Sequence, residues 1–130
     1  MSVLGIGTDI VDSRRLQRLI TRRGEKALDR IFTADERAYA ESANFEQRRL
    51  LRYANRYAAK EACLKALSGR GYGIHWHEIE ITRHASGAPS LVLHGAAHRR
   101  AHALHPNYQL HLSLSDEAPY AMAYVLLCGV

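Results

Sequence analysis

From Gln47 to Leu67 the chain runs without a glycine or a proline. A stretch of that length, rich in alanine, leucine, lysine and arginine, predicts a long helix around which the rest must pack. Advancing about 100° per residue from Leu50 places Leu50, Ala54, Tyr57, Ala58 and Leu64 on one side. Glu61 falls near the middle of that apolar side, with Lys65 one turn further on, and Arg49, Arg52, Arg56 and Lys60 gather on the other side. A carboxylate inside an apolar stripe needs a cation beside it, because an unpaired buried charge costs several kcal/mol. Two readings fit. Glu61 and Lys65 form an ordinary i,i+4 ion pair, or Glu61 is a metal ligand and Lys65 faces the anion that the metal binds.

The elements on either side of that helix indicate an α+β domain, an antiparallel sheet packed on one long helix. Ser2 to Ile10 reads as a buried strand broken by Gly5 and Gly7. Helical stretches follow at about Ser13–Arg22 and Lys26–Ile31, and Thr33 with Glu36 has the spacing of a capping box that opens another helix. Ser68 to Gly73 is a glycine-rich loop. Glu78–Arg83 and Ser90–Leu93 are strands that pair across the turn Ser86–Pro89, and Gly95–Leu104 is a helix. Gln109–Ser115 and Tyr120–Leu127 are the last strands, joined by the turn Asp116–Pro119. With 130 residues and 47% apolar content, residues 1–130 are expected to form a single domain with a core of its own.

Asp9 ends the first strand, where an apolar residue would have continued the pattern. It is either a turn or cap residue or, with Glu61, part of a magnesium site, since two carboxylates, phosphate oxygens and water are the usual surroundings of that ion. In Gln109–Ser115 the leucines Leu110, Leu112 and Leu114 alternate with His111, Ser113 and Ser115. That polar face is either solvated or lines a phosphate or nucleotide. His98 and His102 stand four apart, a spacing that can bind zinc, but no H-E-x-x-H motif or cysteine pair accompanies them; they are read as surface residues.

The net charge of +5 favours an anionic partner without choosing among nucleic acid, phosphorylated cofactor, acidic protein and membrane surface. Two cysteines, Cys63 and Cys128, are too few for a disulfide framework. The longest apolar run, Ala121–Cys128, is too short to span a bilayer, and Met1–Thr8 lacks the pattern of a signal peptide. A cytoplasmic, soluble protein without membrane association is expected.

Several motifs together resemble one family. They are G-I-G-T-D-I-V-D (Gly5–Asp12), R-Y-A-A-K-E-A-C-L-K-A-L (Arg56–Leu67), W-H-E-I-E-I (Trp76–Ile81), S-G-A-P (Ser86–Pro89), L-H-G (Leu93–Gly95), H-L-S-L-S (His111–Ser115) and Y-A-M-A-Y-V (Tyr120–Val125). In this order they are similar to the bacterial holo-[acyl-carrier-protein] synthases, the small trimeric 4′-phosphopantetheinyl transferases. The resemblance implies transfer of 4′-phosphopantetheine from coenzyme A to a serine of an acyl carrier protein, with Mg2+, in fatty-acid or related synthesis. It implies that Asp9 and Glu61 hold the metal, that Lys65 contacts the phosphates, and that Arg56, Lys60, Gly87, Pro89 and His111 lie near the cofactor. It further implies carrier docking on Arg15, Leu19 and Arg22, and a homotrimer with each active site shared between protomers. Two positions depart from the family: Ala88 stands where a lysine is usual, and Asp116 where a histidine is usual. The competing expectation is a small basic nucleic-acid-binding module, which explains the arginine-rich stretch Arg14–Arg23 but not an acid centred on an apolar helix face.

Overall fold

The computed structural model describes all residues from Met1 to Val130. Its elements are β1 (Ser2–Asp12), α1 (Arg14–Arg23), a 3₁₀ helix (Glu25–Arg30), α2 (Ala34–Glu41), α3 (Glu46–Ala66), a 3₁₀ turn (Trp76–Glu78), β2 (Ile79–Arg83), β3 (Pro89–Leu93), α4 (Gly95–Leu104), β4 (Tyr108–Glu117) and β5 (Tyr120–Gly129). The architecture is α+β, with α3 against an antiparallel sheet of order β1-β5-β4. A separate hairpin, β2-β3, makes a second sheet. The antiparallel sheet on one long helix is the arrangement expected, and the hairpin is the pairing expected across the Ser86–Pro89 turn.

α3 packs closest to the sheet where its side chains are smallest. Ala54, Ala58, Ala62 and Ala66 are buried along it. The strand answers with glycine: a Cβ at Gly5 would overlap the carbonyl oxygen of Ala66, and one at Gly7 that of Ala62. These glycines do not break the strand; they let two backbones meet. β1 continues past Ile10 to Asp12, so Asp9 lies inside a paired strand, opposite Ala123. Gly5, Gly7, Asp9 and Val11 therefore share the face turned to α3, and Ile6, Thr8 and Ile10 share the other.

The side of α3 assigned to solvent by its arginines and lysine is also covered. Arg56 is 4% and Lys60 0% exposed, while Leu50, Tyr57, Glu61 and Leu64 are only partly buried. The sheet encloses the helix on one flank and α2 with β2 on the other. Glu36 is what makes this possible. Its backbone N–H donates to Thr33 Oγ1 (3.2 Å) and its Oε1 accepts from Thr33 N (2.8 Å), the expected capping box. The same carboxylate accepts from Lys60 Nζ (2.9 Å) and Ile81 N (2.8 Å), and Lys60 also donates to the carbonyls of Trp76 (2.9 Å) and Ile79 (2.6 Å). The ammonium uses all three of its protons.

Candidate active site

Three neighbourhoods are built on or against α3, and they take up the site residues expected from the sequence unequally. The first joins β1 to the C-terminal half of α3. Lys65 Nζ donates to the carbonyl of Thr8 (2.9 Å) and to Asp9 Oδ1 (3.2 Å). The lysine thus crosses to the strand, and the i,i+4 pair with Glu61 is not formed. Glu61 stays half-buried without an ion-pair partner, lining a cleft of about 220 Å³ with Leu64, Lys65, Ser68, Gly69 and Arg70. Tyr57, one turn before Glu61, senses both acids. Burial raises its phenol above the ordinary tyrosine range, the charges of Glu61 and Asp9 add to the rise, and Arg15 opposes it.

Nowhere in the chain are three or more His, Cys, Asp or Glu side chains arranged so that they could hold a metal ion. The donors offered here are carboxylate oxygens without imidazole or thiolate. That set fits a hard divalent cation that keeps most of its water and takes further ligands from a substrate.

The second neighbourhood is a cleft of about 300 Å³ lined by Tyr39, Asn55, Arg56, Gly87, Pro89 and the β4 residues Leu112–Leu114. Arg56, Gly87 and Pro89, distant in sequence, meet here. Gly87 adopts φ +91° in the turn before β3, a conformation that favours glycine. Above the Tyr39 ring lie three guanidinium carbons, those of Arg52 (4.3 Å), Arg56 (4.1 Å) and Arg83 (4.4 Å). No carboxylate pairs with any of them, and the Nε atoms of Arg52 and Arg56 are buried without an acceptor. Burial pulls the Arg56 guanidinium below its ordinary range; Tyr39 and Glu36 oppose this, and Arg83 and Arg52 reinforce it. Such a cluster calls for an anion. Tyr39, Arg52 and Arg83 carry no sequence signal of this role, because only the tertiary fold brings three elements to one ring.

Lys60 belongs to neither cleft. It lies beside Glu36 in the core, with all three ammonium protons committed. His111 is exposed on the outer face of the sheet, beside Ile6, Tyr124 and Leu126, in a depression of about 270 Å³. Asp9 and His111 therefore lie on opposite faces of one sheet. Ala88 brings no cation to the turn, while Arg83 lies beneath it: its Nη2 would be 3.7 Å from a Cβ at Gly87. Asp116 faces Arg48 (3.6 Å).

The third neighbourhood is a groove of about 370 Å³ along α1, lined by Arg15, Leu16, Arg18, Leu19, Arg22, Arg23, Ile31 and Tyr57. Arg15, Leu19 and Arg22 fall on one face, as helical spacing requires. The Arg15 guanidinium lies 5.8 Å from the centre of the Tyr57 ring, and the Tyr57 and Trp76 rings meet at a tilt with centres 5.6 Å apart. The groove thus leads from a basic helix to the helix that carries Glu61.

A family model described as the 4′-phosphopantetheinyl transferase superfamily matches residues 5–125. A holo-[acyl-carrier-protein] synthase of Xanthobacter autotrophicus is 46% identical over 132 residues, 98% of this chain and 96% of the relative. One of Nitrobacter hamburgensis is 42% identical over 133 residues, with the same two coverages. Among solved structures, the holo-(acyl-carrier-protein) synthase of Bacillus anthracis in complex with CoA (3′,5′-ADP) superposes with a TM-score of 0.79 at 30% identity over 100% of both chains. The Helicobacter pylori holo-[acyl-carrier-protein] synthase in complex with coenzyme A gives 0.77 at 29% identity, covering 95% of this chain and 99% of that one. Likeness over the whole length in sequence and fold decides against a nucleic-acid-binding module, and the chain belongs to the 4′-phosphopantetheinyl transferase superfamily.

Proposed function

We propose that this chain is a holo-[acyl-carrier-protein] synthase that moves the 4′-phosphopantetheine group of coenzyme A to a serine of an apo acyl carrier protein and releases 3′,5′-ADP. The observation that carries this reading is the distribution of charge along α3. At Arg56 it contributes to a cluster of unpaired guanidiniums over Tyr39, suited to the phosphates of a nucleotide. At Glu61 and Lys65 it meets Asp9, suited to a metal-bound diphosphate. The basic groove on α1 suits an acidic carrier protein.

In the reaction the serine Oγ bonds to the phosphorus that bears the pantetheine arm. The bond from that phosphorus to the bridging oxygen breaks, and 3′,5′-ADP leaves with the electron pair. Asp9 and Glu61 would hold Mg2+, which supplies charge neutralisation at the diphosphate. Lys65 offsets the negative charge gathering on the leaving group. The serine proton leaves to a base in this neighbourhood, where Asp9 is paired with Lys65 and Glu61 has no ion-pair partner.

The same reading includes a homotrimer with shared active sites. Arg56 and Lys65 are nine positions apart, roughly 14 Å along the axis and half a turn round it. They face different sides of the helix, which suits sites shared between copies. The outer face of the sheet meanwhile exposes Ile6 (67%), Ile10 (57%) and Tyr124 (52%), an apolar surface for a second copy. No helix is long and apolar enough to cross a membrane, and we place the enzyme in the cytoplasm, serving fatty-acid or related synthesis.

The test is incubation of the purified chain with folded apo carrier protein, coenzyme A and magnesium, read by intact mass. The carrier should gain one phosphopantetheine arm, EDTA should stop the gain, and Glu61→Gln or Asp9→Ala should abolish or cripple it. A carrier that keeps its apo mass with the wild-type chain would sink the proposal.

A further inference from the structure

The Glu61 cleft has a second cation that the reaction above leaves unused. Arg70, on the loop after α3, lines it together with Lys65. The loop's path is set on both sides of this residue. Before it, Ser68 and, after it, Gly71 and Gly73 turn with φ of +47°, +85° and +70°. Gly69 is packed so closely that a Cβ would lie 2.7 Å from Leu64 Cδ1 and 2.9 Å from Ile74 Cδ1, and its N–H caps the helix at Leu64 O (3.0 Å). Beyond Arg70, the ring of Tyr72 stacks under the Arg100 guanidinium (4.2 Å), which itself donates to the Leu67 carbonyl (2.9 Å). Arg70 is therefore presented to the cleft by a fixed backbone, yet it is exposed and makes no ion pair or hydrogen bond of its own.

The charges in this neighbourhood give that free guanidinium a purpose. Lys65 is engaged by Asp9 and by the Thr8 carbonyl. Glu61 is the only acid lining the cleft with Arg70 and is bound to no cation. We infer that Arg70 is a substrate-binding residue that takes a non-bridging oxygen of the diphosphate of coenzyme A, a geometry a planar guanidinium suits. This rests on the transferase reading. The groove suited to an acidic protein is lined by α1 and Tyr57 and not by Arg70, which favours the small anion over a carboxylate of the carrier.

The experiment compares wild type, Arg70→Ala and Arg70→Lys, all as the full chain with magnesium. Calorimetric titration with coenzyme A should show affinity reduced by about tenfold or more in Arg70→Ala and only partly restored in Arg70→Lys, the scale of a lost charge-assisted contact. Inorganic pyrophosphate should compete with coenzyme A more weakly in Arg70→Ala than in wild type. Melting temperature and KM for the carrier should not move. Coenzyme A affinity within about twofold of wild type, or a rise confined to the carrier KM, overturns the inference and leaves the transferase reading standing. A wild-type chain that neither binds coenzyme A nor modifies the carrier overturns both.

Discussion

Glu36 and Lys60 meet 2.9 Å apart with neither side chain exposed to solvent. Burial pulls the Lys60 ammonium below the ordinary lysine range and Glu36 pulls it back. Removing one partner strands the other. Glu36→Ala should cost about 3–5 kcal/mol in denaturant unfolding, whereas Glu36→Leu combined with Lys60→Met should cost less than either single change. A single variant as stable as wild type would mean that Lys60 reaches water.

Gly7 lies where β1 and α3 touch, and a methyl group there would run into the Ala62 carbonyl. Gly7→Ala should destabilise the chain by about 1–3 kcal/mol or more, because neither backbone has room to give. It should also lower transfer activity in the molecules that stay folded, since Asp9 lies two residues on along the same face. Gly24→Ala is the control: its glycine has no atom within 4 Å of a Cβ, although its φ of +78° carries some strain of its own.

Arg15 and Arg22 line the α1 groove together. Replacing both by glutamate should raise the KM for the carrier about tenfold or more and flatten its dependence on salt, with coenzyme A affinity unchanged. Steady-state kinetics at several ionic strengths check this. An unchanged carrier KM would place docking elsewhere.

Asp12 supports a pH prediction. Its hydrogen bonds from the Arg14 side chain and backbone hold the carboxyl down at about 2, below the ordinary carboxylate value. A carboxyl lowered by folding stabilises the fold above its unfolded pKa and ceases to do so as the pH falls through its folded one. The stability advantage of wild type over Asp12→Asn should therefore be present at pH 5 and fade as pH falls from about 4 towards 2. Thermal unfolding across that range measures it.

The ends of elements were legible in the sequence where a local chemical signal marks them. Thr33 and Glu36 announce their helix start, and Gly95–Leu104 is the helix expected. The faces of α3 were not legible. Periodicity puts Arg56 and Lys60 on the side away from the apolar stripe but does not say that this side is covered, because their burial depends on Glu36, Tyr39 and Arg83, which no periodicity connects to them. Asp9 read as a strand end because its residue type interrupts an apolar run, whereas backbone pairing with β5 carries the strand on to Asp12. Arg70 left no trace in a loop whose glycines suggest only freedom.

α3 is enclosed by the sheet on one flank and by α2 and β2 on the other, with Glu61 near its last turns. Amide protons in the middle of such a helix have no local route to solvent, so they should exchange with deuterium only as fast as the whole molecule opens. The backbone beneath Glu61 is then as rigid as the protein can make any of its parts.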